Sequence, residues 1–352
     1  MLFAAAVLAS YVVEASRPAT ATENRAADVA LLLVVGWLGI VLVCGDTVTD
    51  RSRLDVLVSR MTTAVGWLAA LGIVQFFTHH TFVDALQVPG LSVNNGVATV
   101  QSRDGFSRVI GTAIHPIEFG VITAAMLPLC VYHAQRSPGG PLRRWAPTVA
   151  VSIAIPLSVS RSAVVAMVVA LLCVVPTWSS ALRRSAAAYA VVLVCATFVL
   201  VPGMLGTLVK LFTGVSEDSS ALSRTNSYAV ASDFISRSPW LGRGFMTFLP
   251  QYNTNDNQYL GLLIEVGVVG TLAMLTVFVT GVAVAVNVRR RSRDEDTRSL
   301  AAALGASITS IAVTFAFFDA LSFPMLAGVT FLLLGITEAL RRLEPTVASP
   351  VP

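Results

Sequence analysis

The chain has 352 residues, of which 55% are hydrophobic and 12% charged, with a mean hydropathy of +0.74 and a formal charge of +4. A water-soluble domain carries about 25% charged residues, so the composition excludes one and indicates a polytopic membrane protein. Basic charge comes almost wholly from Arg, Lys210 being the single Lys, and no nucleic-acid partner is expected.

In chain order, Leu2 to Val13 is the first apolar run, without the basic flank and small-residue cleavage site of a signal peptide. It is shorter than the roughly 17 to 25 residues a span needs, so it is read as a weak span, either a truncated start or a helix entering part of the bilayer. Apolar runs follow at about 27–45, 60–77, 112–133, 146–159, 162–178, 186–203, 259–287, 300–318 and 322–340. Ser160 and Arg161 act as a hairpin between the runs at 146–159 and 162–178. The expectation is an all-α polytopic transmembrane bundle of about ten helices. It forms one integral-membrane domain over 1–345, with a short tail over 346–352. Cys44, Cys130, Cys173 and Cys195 lie in or beside apolar runs with no CxxC spacing, so neither a disulfide nor a metal site is expected.

Alternating the helices from a cytoplasmic N-terminus places 15 of the 24 basic residues on the inner side, in short Arg-rich loops such as "RSPGGPLRR" and "VRRRSRDEDTR". The opposite orientation violates that rule at five loops. Two long segments, 78–111 and 204–258, then face outward together with the turn at Arg161. Within the second, Leu222, Tyr228, Ala231, Phe234 and Ile235 fall near one face of an amphipathic helix stopped by Pro239. His79 and His80 are placed at the interface.

The polar residues of the outer side supply the candidates. Arg161, bracketed by Ser158, Ser160 and Ser162, reads either as an arginine snorkelling at a hairpin tip or as an anion ligand in a wet pocket. Arg224, Arg237 and Arg243 lie in a segment where topology requires no basic excess. Each taken alone reads as a solvated arginine. Arg224, near the start of the amphipathic helix, is the best placed to bind a phosphate group, followed by Arg243 between Gly242 and Gly244. Asp256 is either part of a helix start, with Asn255 and Gln258 resembling a capping box, or a carboxylate base at the outer face. Glu265 lies about two turns deeper, on one face with Gln258 and Gly261. A carboxylate there must be paired, protonated or hydrogen-bonded, and a structural role holding its helix to an Arg or to backbone groups of a neighbour is favoured. In "SRVIGTAIHPIEFG", Arg108, His115 and Glu118 flank another helix start. His115 and Glu118 read as an acid/base pair or as polar end residues of a Pro-initiated helix.

Arg161 in an S-R-S turn, then "SRTNSY", "SPWLGRGF" and "NDNQYLGLLIEVGVVG", together resemble the O-antigen ligase and O-antigen polymerase superfamily. The likeness extends over about residues 105–275, with "RVIGTAIHP" similar to the family's segment before a central helix. The resemblance implies a bacterial cytoplasmic-membrane glycosyltransferase. Such an enzyme moves a glycan from a polyprenyl diphosphate carrier to a glycan or lipid acceptor hydroxyl at the outer face. It implies inversion at the anomeric centre and chemistry without a metal or other cofactor. By position, Arg161 and Arg224 match diphosphate-binding arginines. Asp256 and Asn257 match a position where ligases usually carry "HN". Asp256 replacing that His shifts the reading from lipopolysaccharide ligase toward a polymerase or other polymer-transfer member. Catalytic roles are therefore expected for Asp256, Arg224 and Arg161, and substrate contacts for Arg161, Arg224, Arg243, Asn257, His115 and Arg108. Other polysaccharide assembly proteins are expected partners. Two alternatives stand beside this: a transporter of a small anion such as bicarbonate, with Glu265 and Asp319 as ion-coupling groups, and a noncatalytic partner in polysaccharide assembly. Polar residues gathered on one face of the membrane weigh against a transporter site at the midplane.

Overall fold

The computed structural model describes residues 1–83, 102–103, 105–137, 139–213, 228, 230–253 and 256–344. Among them the fold is all-α apart from one hairpin. The helices are α1 (Leu2–Ala15), α2 (Ala21–Thr47), α3 (Arg51–Thr78), α4 (Pro116–Arg136), α5 (Pro141–Leu157), α6 (Arg161–Val174), α7 (Ser180–Leu200), α8 (Met204–Thr213), α9 (Gln258–Glu265), α10 (Gly267–Arg291), α11 (Glu295–Thr314) and α12 (Pro324–Leu343). The hairpin pairs β1 (Ser102–Arg103) with β2 (Phe106–Ser107), in the register Ser102 to Ser107 and Arg103 to Phe106. Each apolar run of the sequence is helical over most of its length, and residues 230–237 are helical as well.

Among the described residues, six helices (α2, α3, α4, α7, α10 and α12) are long and apolar enough to cross a membrane. The remaining predicted runs fall short for physical reasons. Helices α1, α5 and α6 have 14, 17 and 14 residues, and α11 opens with Glu295, Asp296 and Arg298. The run at 259–287 is also two helices, broken after Glu265.

The chain divides into two compact units. One comprises Met1–Val58, Arg224–Ser322 and Ala327–Pro352, the other Ser59–Ser223 and Phe323–Leu326. In the second unit α4 is the central helix: 89% of its apolar window is buried, against 0% for α7. The exposed face of α7, including Val191, Val192, Phe198 and Leu200, suits hydrocarbon rather than water. Gln75, buried on α3, clamps the chain entering α4. Its Nε2 donates to the carbonyls of Thr81 (2.6 Å) and Gly111 (2.9 Å), and its Oε1 accepts from Gly111 N (2.8 Å). Gly120 of α4 lets the α5–α6 turn approach so closely that a Cβ there would lie 2.6 Å from Ser158 Oγ and from Ala163 Cβ.

In the first unit the break between α9 and α10 is built against the segment 238–248. Arg243 N donates to Ile264 O (3.1 Å) and Gly244 N to Glu265 O (2.9 Å). In return, Val268 N donates to Pro239 O (2.9 Å) and Val269 N to Trp240 O (3.2 Å). Two glycines make this mutual approach feasible. Gly242 (φ +70°) would place a Cβ 2.2 Å from the Glu265 carbonyl carbon, and Gly267 (φ +63°) would place one 2.3 Å from that of Trp240. Both left-handed backbones also disfavour L side chains. Phe245 then buries its ring against Phe3 of α1 (centroids 5.8 Å apart) and Trp37 of α2 (6.2 Å). Ser10 of α1 adds a bond from its Oγ to Glu265 O (2.6 Å).

Gly242→Ala and Gly267→Ala are each expected to cost about 1–3 kcal/mol or more, and to lower the thermal midpoint of the detergent-solubilised protein. Gly36→Ala, where a Cβ meets nothing within 4 Å, is expected to leave it unchanged or slightly raised. Comparison of the three melting curves tests the assignment.

Candidate functional site

The second unit carries Arg161, Arg108, His115 and Glu118. Helix α5 ends at Leu157, and the turn runs through Ser158, Val159 and Ser160 before α6 begins at Arg161 itself. Ser160 is the cap, its Oγ accepting from Ala163 N (3.4 Å). Val159 is fully buried with φ +45°, a conformation a β-branched residue adopts only when its surroundings impose it. The strained turn seats Arg161 on the first residue of a helix, where the axial dipole adds positive potential to the guanidinium. Arg108 reaches the same turn, its Nε donating to Ser158 O (3.2 Å). Arg108 thus braces the turn from which Arg161 opens α6.

His115 and Glu118 are engaged in holding helix starts. His115 is the N-cap of α4, its Nδ1 accepting from Ile117 N (3.1 Å). Burial first, and then the charge of Arg108, push its pKa down to about 4, so the ring is neutral at pH 7. Glu118 Oε2 accepts from Ile114 N (3.0 Å), and Oε1 from Met325 N (2.9 Å) and Leu326 N (3.2 Å). Three backbone donors satisfy this carboxylate, an arrangement that explains its burial better than acid/base work would.

The first unit carries Asp256, Asn257, Glu265 and Arg243. The cap of α9 is Asn257, whose Oδ1 accepts from Tyr259 N (3.0 Å) and Leu260 N (3.2 Å). The helix therefore starts two residues later than a box opened by Asn255 requires, and Asn255 itself lies outside the described residues. Asp256 precedes the cap, half-buried, and among the described residues its carboxylate makes no hydrogen bond or ion pair. The position of α9 is fixed by buried Gln258, whose N–H donates to Phe315 O (2.8 Å) and whose Oε1 accepts from Leu321 N (2.6 Å). Tyr259 Oη donates to Ala312 O (2.6 Å). These bonds bring Asp319 toward Asp256. The Asp319 carboxyl is held above its ordinary pKa, first by removal from water, with the Asp256 charge adding to it and a short bond from Ser322 opposing. Glu265, buried at the end of α9, accepts from Phe248 N through Oε1 (3.2 Å), tying the helix to the 243–248 segment through backbone.

Arg243 turns inward. Its Nη2 forms an ion pair with buried Glu23 of α2, and its guanidinium stacks on the rings of Phe234 and Tyr252, 4.7 Å from each centroid. Glu23 also belongs to the Thr20 capping box of α2. The T-x-x-E pattern that forms the box was visible in the sequence, but its distant partner was not. Arg237 pairs with Asp233 one turn away (2.6 Å). Ala231 is buried and Phe234 and Ile235 are half-buried while Ser232, Asp233, Ser236 and Arg237 are exposed, so the amphipathic pattern holds over 230–237, but Tyr228, expected on the apolar face, is exposed. Arg224 and Leu222 lie outside the described residues. No group of three or more His, Cys, Asp or Glu suited to a metal occurs among the described residues.

Residues 146–275 match the family model described as O-antigen ligase. No curated protein matches the chain. The matched region contains Arg161, Arg224, Arg243, Asp256, Asn257 and Glu265, while Arg108, His115, Glu118 and Glu23 lie outside it.

The His115 geometry has a measurable sign. A folded pKa of about 4 lies below the ordinary 6.5, so the unfolded chain binds more protons between those values and stability falls as pH is lowered from about 6.5 towards 4. His115→Asn retains a capping side chain and is expected to flatten that slope in a pH series of thermal midpoints. Glu118→Ala leaves three N–H donors unmet and is expected to cost several kcal/mol, read as lost membrane-inserted protein.

Proposed function

From a chain that carries a domain of the O-antigen ligase/polymerase superfamily as the premise, we propose an integral-membrane glycosyltransferase acting at the outer face of the cytoplasmic membrane. Its donor is a glycan on a polyprenyl diphosphate, and its acceptor is a hydroxyl of a glycan or lipid. Arg161 and Arg224 hold the diphosphate, with Arg108 beside Arg161 adding charge. Asp256 takes the proton from the acceptor hydroxyl. The acceptor oxygen bonds to the anomeric carbon from the face opposite the leaving group, the carbon–oxygen bond to phosphate breaks, and the diphosphate departs on its carrier. Inversion follows from that single displacement.

The observation that carries this reading is the division of labour at the start of α9. Asn257 takes the capping role, so the Asp256 carboxylate is not spent on the helix. At the other end of the chemistry, Arg161 sits where helix dipole and guanidinium act together on an anion. A diphosphate is already a good leaving group, and the demand on the protein is charge stabilisation and a base. Guanidinium groups supply the first without a metal ion. Asp256 in place of the ligases' usual His favours polymer extension over delivery to lipopolysaccharide.

Asp256→Asn and Arg224→Ala, at matched membrane abundance, are expected to abolish long polymer, with single polyprenyl-linked repeats accumulating. Gel profiles of the polysaccharide and mass spectrometry of the lipid-linked fraction provide the measurement. Normal chain length in both variants overturns the proposal, and long undelivered chains indicate a ligase instead. Washing membranes with EDTA is expected to leave polymer formation unchanged.

A further inference from the structure

The buried carboxylate of Glu23 touches both ends of the segment that leads to Asp256. Its Oε1 accepts from Arg243 Nη2 and from Tyr252 Oη (3.1 Å), and lies 3.6 Å from Arg17 Nη2. Arg17 Nε in turn donates to the Arg243 carbonyl (3.0 Å). Its Oε2 remains with Thr20, accepting from the N–H (2.8 Å) and the hydroxyl (3.1 Å). Residues 243 and 252 are therefore drawn onto one oxygen at the start of α2, and Tyr252 lies four positions before Asp256. Between them Phe245 is buried against α1 and α2, and Thr247 is fully buried with its hydroxyl bonded to Gly244 O (2.7 Å).

This arrangement is costly unless it accomplishes something. An ion pair removed from water repays its desolvation only with good geometry and satisfied partners, yet Arg243 Nε and Nη1 are buried with no hydrogen-bond partner among the described residues. Two aromatic rings cover the guanidinium instead, which fixes its plane. Apolar residues would pack the same volume without the desolvation cost. A charged clasp, however, fixes where the loop begins and ends.

We propose that Glu23 is a positioning residue for the reaction: by clasping Arg243 and Tyr252 it sets the course of residues 243–253 and so the placement of Asp256. The proposal rests on the glycosyl-transfer reading for its consequence, and on the Glu23 contacts for its mechanism. Glu23 touches no reacting atom in this account and acts through the loop alone.

The test places Glu23→Gln and Glu23→Asp in the full-length membrane protein carrying Thr247→Cys as a reporter, with a membrane-impermeant maleimide as the probe. Glu23→Gln is expected to raise labelling of the buried cysteine and to lower polymer per folded protein by on the order of 10- to 100-fold, the scale of a misplaced reacting group. Glu23→Asp, which keeps the charge, is expected to recover much of both. Unchanged labelling in Glu23→Gln, or polymer falling only in proportion to folded protein, overturns the proposal. Labelling also separates the two failures: if Asp256→Asn and Arg224→Ala both make normal polymer, the glycosyl-transfer reading fails, while the maleimide result still decides the clasp.

Discussion

The first unit depends on a backbone approach that only glycine permits. With Gly242 and Gly267 both left-handed and each within about van der Waals contact of the other strand's peptide, four hydrogen bonds join the break between α9 and α10 to the segment before it. That contact explains why an apolar run long enough for one helix becomes two. A continuous helix would keep its own bonds across 265–268. Here Gly244 and Val268 bond across the joint instead, and the chain gains a rigid corner at the depth of Glu265. The Glu265 carboxylate, which has no place in lipid, completes the corner by accepting from Phe248 N.

A second constraint of the same kind shapes the turn before α6 in the other unit. Val159 is held left-handed between two helices, and Gly120 of α4 gives the turn room to lie flat. Strain concentrated on one buried residue next to the arginine that opens α6 is the signature of a turn whose geometry is selected for position rather than for stability. The carboxylate of Glu118 and the imidazole of His115 are satisfied by backbone donors. His115 and Glu118 thus fix helix starts, while Arg108 braces the turn before Arg161 through Ser158 O.

Much of the helical pattern was legible in the sequence because a bilayer imposes one period and one length on every apolar run. Arg161 and Glu265 were legible as polar residues in greasy surroundings, Asp256 as a carboxylate in the polar stretch that opens a helix, and "SPWLGRGF" and "LIEVGVVG" as glycine-bearing motifs. What the sequence withheld was that these two motifs are halves of one joint, since glycine spacing marks tolerance for close approach without naming what approaches. The cap of α9 was misplaced by two residues for a similar reason. Asn255, Asp256 and Asn257 are all good caps by residue type, and only the bonds from Tyr259 and Leu260 to Asn257 decide among them. The partnership of Glu23 with Arg243, 220 positions apart, leaves no local trace at all.

The joint and the clasp act on one segment from opposite sides. The joint fixes the N-terminal end of residues 243–253 to α9, and Glu23 gathers both ends of that segment onto α2. A loop closed this way has few ways to relax, because moving Tyr252 strains the ion pair and moving Arg243 breaks the bonds to Ile264 and Arg17. On the proposed function the demand on such a rim is narrow. Under the proposed glycosyl transfer a base must meet a hydroxyl within hydrogen-bond reach, and a loop held at both ends would favour that precision. On the proposal that Glu23 positions this loop, the buried pair of Glu23 and Arg243 supplies that precision, which offsets the desolvation of the two charges.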